Sequence, residues 1–248
     1  MNMNSGTKMP LMLSFNSLSS PPVQQTVLLD KILIASWTGR DPTVVEQRIS
    51  ELEKIGIPRP PNIPMLYQIA KSRVTVANSM EVIGSRSTGE VEFLILSCQG
   101  RLWVGVGSDH TDRELEQHNA ALAKQLCDKP IAADFWCFED VANHWDSLQL
   151  KSFVYNSDGL KEEYQQGTVA SMLHPKDLIN ICDNSMEPNK AGECYLVFCG
   201  TLPTNGPIRS GVRFEIALID PILDRALSHS YTIESLPDHL TPLRFSIE

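Results

Sequence analysis

A chain of 248 residues with 42% apolar and 21% charged side chains has the composition of a soluble globular protein, and enough length for a sizeable core. Its formal charge of −9 would be repelled by nucleic acid and by anionic membrane, which excludes both as main partners. No apolar run reaches the length of a bilayer span, and cysteines at 98, 127, 137, 182, 194 and 199 form no C-x-x-C pair, so they read as buried free thiols of a cytoplasmic protein.

The opening MNMNSGTKMPLMLSFNSLSS holds one lysine and a short apolar patch broken by Pro10. It makes a poor secretory signal and reads as a tail. TVLLDKILIASWTGRDPTVVEQRISELEKIGIPRPPNIP then reads as strand, turn and helix. Asp41 caps the helix, Pro42 suits its first position, Val45, Ile49 and Leu52 share a face, and Gly56 and Pro58 end it. Arg40, just before the cap, stands either in a lid or in a plain connection. The stiff PRPPNIP at 58–64 divides residues 1–64, a tail and small strand–helix unit, from a main domain at 65–248.

Strand-like runs follow at 73–77, 80–84, 90–97, 101–107, 148–155, 194–199, 212–219 and 228–233. One strong helix interrupts them. Thr111 and Glu114 have capping-box spacing, and Leu115, Leu122 and Leu126 form an apolar stripe. A weaker helix covers 175–182, and GPIRSGVRFEIALIDPILDRALSHSY reads as a hairpin at a sheet edge. The class is α+β and rich in strand, without regular βαβ alternation.

The chemistry lies in GEVEFLILSCQGRLWVGVGSDHTDRELE, residues 89–116. Glu90 and Glu92, two apart on a strand, share a face. At about 6 Å and an effective dielectric of about 20, their repulsion is on the order of 2–3 kcal/mol. A divalent cation would remove that cost, and so would solvent at a strand edge; the E-x-E spacing leaves both readings open. The apolar run VEFLIL argues for a strand buried on both faces. Trp103, Gly105, Gly107 and Asp109 also share one face, where the glycines leave room for a ligand beside Asp109 or for tight packing. An all-carboxylate site suits Mg²⁺, Mn²⁺ or Ca²⁺. Arg113 stands in a first helical turn, where the macrodipole disfavours cations. It can pair with Glu116 one turn on, or grip a substrate carboxylate with two hydrogen bonds.

These residues resemble the fumarylacetoacetate hydrolase family. GEVEF followed by VGVGSDHTDRELE is similar to that family's E-x-E strand and its glycine-rich strand running into N-D-x-[ST]-A-R-D-x-Q. Lys129, in CDKPIAADFWCFEDV, lies where the family carries an active-site lysine. LQLKSFVYNSDGLKEEYQQGTVASMLHPKDLI resembles its strand, N-G turn and Q-x-G, with Gln165, Gly167 and Met172 in register. VFCGTLPTNG resembles its G-T-P-x-G strand end through Gly200 and Thr201. The ordered set spans residues 75–235, and the full chain looks closest to an uncharacterised bacterial and fungal branch of the group.

The resemblance implies a mixed β-roll, commonly dimeric, carrying the small N-terminal α/β unit. It implies that Glu90, Glu92 and Asp109 hold Mg²⁺ or Mn²⁺. Arg113, Lys129 and Thr201 would meet the oxo-acid end of a small substrate, with Glu116 and Gly200 also in the substrate-binding set. Departures fall in the pocket: Ala-Arg-Asp becomes Asp112-Arg113-Glu114, the glutamine becomes Glu116, and Lys129 is followed by Pro130-Ile131-Ala132 instead of Ser-Phe-Asp. No match to the water-activating His–Glu pair is found. His110, beside Asp109, is the catalytic candidate by proximity, or else a structural hydrogen-bond partner.

The implied activity is a metal-dependent C–C bond hydrolase or decarboxylase. It would act on a 2-oxo acid or 1,3-dicarbonyl substrate through an enolate, with Lys129 helping to hold the developing charge. An isomerase, tautomerase or dehydratase on the same scaffold is one alternative, and a catalytically silent binding protein is another. Cys199 reads as a buried thiol, not a nucleophile. His118, His144, His174, His229 and His239 show no metal-ligand spacing.

Overall fold

The computed structural model describes residues 9–54, 59–186, 192–237 and 239. Its longer elements begin with β1 (Met9–Ser17), β2 (Ser20–Leu29), β3 (Lys31–Ser36), α1 (Pro42–Lys54), β4 (Met65–Ile69) and β5 (Ser79–Ile83). The central hairpin of β6 (Val91–Cys98) and β7 (Arg101–Ser108) is followed by α2 (Arg113–Glu116), α3 (Ala120–Leu126) and β8 (Asp134–Cys137). The chain continues through β9 (Gln149–Tyr155), β10 (Lys161–Thr168) and α4 (Pro175–Ser185). It closes with β11 (Cys194–Thr201), β12 (Arg213–Asp220) and β13 (Arg225–Leu236).

Eight strands form one sheet in the order β2-β1-β8-β7-β6-β11-β3-β4, and five form a second, β10-β9-β12-β13-β5. One face of the large sheet, through Phe93, Ile95, Val104 and Val197, packs with Leu150, Ile216 and Leu218 of the second sheet and with Leu178 of α4. The opposite face, through Leu94, Leu96, Ile32, Ile34 and Phe198, packs with Leu11, Leu13, Phe15, Val27 and Leu29 of the same large sheet. The sheet therefore rolls onto itself, and β6 is buried on both sides, as its unbroken apolar run requires.

The segment read as a tail is a strand from Met9 onward. Leu11, Leu13 and Phe15 alternate inward, and Pro10 lies near the strand's start, ahead of the pairing with β8 that begins at Ser14. The strands expected in a small N-terminal unit lie within the large sheet, with β3 between β11 and β4. Ile32 and Ile34 are fully buried there. Val45 and Ile49 anchor α1; its expected stop residues Gly56 and Pro58 lie outside the described residues.

The single helix expected after residue 111 is two short ones. Asp112, not Thr111, caps α2 by accepting the Leu115 N–H at 2.8 Å. Asn119 then starts α3 by accepting from Leu122 at 3.0 Å. The break turns Leu122 and Leu126 outward and buries Ala123 and Lys124 instead. The β12–β13 hairpin forms as expected, but β12 and β13 are interior and the sheet edges are β10 and β5.

The reading of all cysteines as free thiols is also corrected. Cys98 and Cys194 face each other across the β6–β11 ladder, with Cα atoms 4.2 Å apart, and are joined as a disulfide. A separation of 96 residues hides that pairing in the sequence. Cys127, Cys137, Cys182 and Cys199 are free. No helix among the described residues is long and apolar enough to cross a membrane.

Candidate metal centre

The β6–β7 register fixes the site. Glu92 lies opposite Gly107, Leu94 opposite Gly105 and Leu96 opposite Trp103, so all six positions share the inner face of the roll. Glu90 and Asp109 extend this row at the open end of the hairpin, where the Asp109 N–H donates to the Glu90 carbonyl at 3.0 Å. Carboxylate oxygens of Glu90, Glu92 and Asp109 lie within 4.8 Å of one another, and the group could hold a metal ion. The glycines serve packing. A Cβ on Gly105 would stand 2.5 Å from the Phe135 ring, and one on Gly107 would stand 2.9 Å from Ile131.

Each acid has its own support. The Glu92 carboxylate accepts the Gly200 N–H at 2.8 Å. Gly200 adopts φ 98° at a register shift of β11, a conformation that suits glycine. Glu90 pairs with the Arg113 guanidinium at 3.0 Å. Asp109 is fully buried. One of its oxygens takes the Lys124 ammonium, while the other has Lys129 at 3.2 Å and the Thr111 hydroxyl at 3.2 Å.

Other residues singled out in the sequence are close by but already engaged. Arg113 forks between Glu90 and Glu116, the latter at 2.7 Å, so both the ion pair and a carboxylate-gripping position remain relevant to it. Lys129 is fully buried and also donates to the His110 carbonyl. The Thr201 hydroxyl donates to the Val91 carbonyl at 2.7 Å and accepts from Gln165 at 2.8 Å. His110 is fully buried, its ring nitrogens held by Tyr231 at 3.1 Å and Ser87 at 2.9 Å. Cys199 is enclosed, and burial beside Glu92 pushes its thiol well up. Arg40 pairs with Asp146 and donates to the Met172 carbonyl, which makes SWTGRD a connection tied to the body of the protein.

Three contributors have no counterpart among the expected roles. Lys124 is one. Gln165 is another: fully buried on β10, it accepts from the Val91 N–H at 2.9 Å and donates to Thr201 and to the Leu202 carbonyl. Its Q-x-G motif placed it in register but assigned it no task. Tyr231 joins His110 to Ser108, whose hydroxyl accepts the Glu90 N–H at 3.2 Å.

The electrostatics are unequal across the cluster. Burial acts to raise the Asp109 carboxyl, but Lys124 and Lys129 outweigh it and hold the group below its ordinary range. Burial, then Asp109 and Glu90, push Glu92 well above its ordinary value, against Lys124 and the Gly200 N–H. Burial raises Glu90 as well, against Arg113 and Lys124. His110 is driven down to about 3 by burial and by Lys129 and Arg113, so its ring is neutral. Burial pushes the Lys129 ammonium down despite Asp109.

A prediction follows from Glu92. A carboxyl raised in the folded state stabilises fully below its unfolded value, and that contribution disappears as pH rises through the folded value. At neutral pH, ion-free Glu92→Gln should therefore be more stable than wild type by about 0.5–2 kcal/mol, the usual gain of a single stabilising substitution, and should melt at a higher temperature. The gain should vanish in acid, below the ordinary glutamate range. A neutral-pH melting point equal to or below that of wild type would remove the claim that Glu92 is electrostatically strained.

A family model described as "Protein of unknown function (DUF2848)" matches residues 35–231. None of the curated proteins compared with the chain matches it. Among solved structures, Cg1458 superposes with a TM-score of 0.56 at 13% identity, covering 91% of this chain and 88% of that one. 2-Keto-3-deoxy-D-arabinonate dehydratase, complexed with magnesium and 2,5-dioxopentanoate, gives 0.58 at 12% identity, covering 87% and 77%. Fumarylacetoacetate hydrolase from psychrophilic Exiguobacterium antarcticum gives 0.51 at 14% identity, covering 87% and 81%. At these identities the likeness is one of fold. The expected fumarylacetoacetate hydrolase-like α+β architecture is the one observed.

Proposed function

We propose that this chain, which belongs to the DUF2848 family, is a divalent-metal-dependent enzyme acting on a 2-oxo acid or 1,3-dicarbonyl compound through an enolate. The observation that carries the reading is the convergence of the Glu90, Glu92 and Asp109 carboxylates at the open end of a buried hairpin. A hard, all-oxygen donor set of this kind fits Mg²⁺ or Mn²⁺, with Ca²⁺ as the larger alternative. A bound divalent ion would supply Lewis-acid polarisation and a template for adjacent carbonyl and carboxylate oxygens.

The chain's own residues divide the remaining work. The Gly200 N–H aims Glu92; Lys129 and Thr111 hold Asp109. Arg113, with its side chain 16% exposed, is the group at the cluster that would turn its fork toward a substrate carboxylate. Thr201, locked between Val91 and Gln165, would shape the pocket beside Glu92. In this reading Lys129 and His110 are positioning residues, since both are fully buried and bonded within the protein. The same reading includes a homodimer acting on a small molecule.

His110 also bears on the reaction type. With both ring nitrogens engaged, it supplies no free base for activating water, which favours decarboxylation, isomerisation or dehydration over C–C hydrolysis. All of these pass through an enolate, formed by loss of a C3 proton in isomerisation and dehydration and by loss of CO₂ in decarboxylation, where C3 is then protonated. A 2-oxo acid that binds should therefore exchange its C3 protons with D₂O faster than buffer plus metal, read by proton NMR across pyruvate, oxaloacetate and an acylpyruvate. The exchange should require Mg²⁺ or Mn²⁺ and fall by on the order of a hundredfold in Glu92→Gln. No metal-dependent exchange of any compound that demonstrably binds would make the chain a binding protein.

A further inference from the structure

Lys124 has no place in the reading drawn from the sequence, yet it reaches the centre of the acidic cluster. Its side chain is 5% exposed, its ammonium rests on Asp109, and the Glu116 carboxylate stands 3.9 Å away. Lys129, on the other oxygen of Asp109, is fully enclosed, and its second bond goes to the neutral His110 carbonyl. Of the two lysines on Asp109, Lys124 is thus the one shown with a second anion close at hand. Its stem runs from α3, a seven-residue helix whose Leu122 and Leu126 side chains are exposed.

We propose that Lys124 is an exchangeable internal cation of this site. It neutralises Asp109 while no divalent ion is bound and transfers to Glu116 when one is. The inference rests on the metal reading above. The same Asp109 oxygen cannot serve both an ammonium and a divalent ion without placing two like charges a few ångströms apart, where repulsion is strong. Lys129 keeps Asp109 oriented after Lys124 has left, and Glu116 receives the displaced charge beside Arg113. Ion affinity would then be set lower than the three carboxylates alone would give, and substituting Glu116 for the family's glutamine would provide the acceptor that makes the exchange workable.

The test is calorimetric titration of Mn²⁺ into purified wild type, Lys124→Met, Glu116→Gln and the double variant, each checked for native circular dichroism. Lys124→Gln, which leaves Asp109 a polar neighbour, serves if the methionine variant does not fold. Either Lys124 variant should bind Mn²⁺ roughly tenfold or more tightly than wild type, because the competing charge is gone. Glu116→Gln should weaken binding, and the two effects should be non-additive, with Glu116 mattering less once Lys124 is absent. Binding by a Lys124 variant where wild type takes up none would be the extreme form of the expected result. An unchanged or weaker affinity in the Lys124 variants would overturn the exchange while leaving the metal site standing. No Mn²⁺ uptake by any of the folded proteins would overturn the metal reading itself, and the exchange with it.

Discussion

Asp109→Ala should destabilise the ion-free protein by about 3–5 kcal/mol, the usual cost of stranding a buried charge, and abolish its response to divalent ions. Asp109 is the shared counter-ion of Lys124 and Lys129, and all three side chains are buried. Its carboxyl is held low in the folded state, so its stabilisation is present above the unfolded value and lost as pH falls through the folded one. Urea unfolding in EDTA near neutral pH reads the loss, and adding Lys124→Met to the variant should restore part of it by removing one stranded ammonium. Wild type at a hundred times its ion dissociation constant should gain about 2.7 kcal/mol, a gain the variant lacks. A variant within about 1 kcal/mol of wild type, well inside the range of ordinary substitutions, would mean that the two lysines do not depend on this acid.

Gly200→Ala should cost about 2–5 kcal/mol, combining roughly 1–2 for a non-glycine residue at positive φ with about 1–3 for overpacking. A Cβ at Gly200 would lie 1.9 Å from the Thr38 hydroxyl and 3.2 Å from its Cβ. Thr38 is itself buried, and its carbonyl accepts the Leu173 N–H at 2.7 Å, so it has little freedom to withdraw. The peptide that orients Glu92 would tilt instead, and Mn²⁺ affinity should fall along with stability. Gly100→Ala is the control, because Gly100 has φ 75° but nothing within 4 Å of an added Cβ; it should show the conformational cost alone. Equal losses at the two positions would show that Thr38 yields without consequence.

Why the acids, Arg113 and Lys129 could be read in the sequence and Lys124 could not is a matter of range. Glu90 and Glu92 obey strand alternation, and a two-residue connection brings Asp109 back beside them, so short-range geometry suffices. Lys124 reaches Asp109 only because the helix breaks at 117–119 and restarts on the Asn119 cap. Read as one continuous helix, the segment places Leu122 and Leu126 inward and leaves Lys124 an ordinary surface charge. The Cys98–Cys194 bridge depends on β11 joining β6 from far along the chain. The same holds for β1: its short apolar patch acquires its role as a strand from a parallel neighbour, β8, more than a hundred residues away. The position of the small strand–helix unit was obscured for a related reason, since the proline-rich segment after α1 looks like a linker although the strands on either side of it, β3 and β4, pair directly.

The hairpin that supplies all three acids is a single uninterrupted stretch, from Glu90 to Asp109, whereas Arg113, Glu116 and Lys124 come from the two helices that follow it. The two halves of the centre are therefore separable in inheritance. Substitutions in the helical stretch can retune the charge around the acids while the hairpin that carries them stays unchanged.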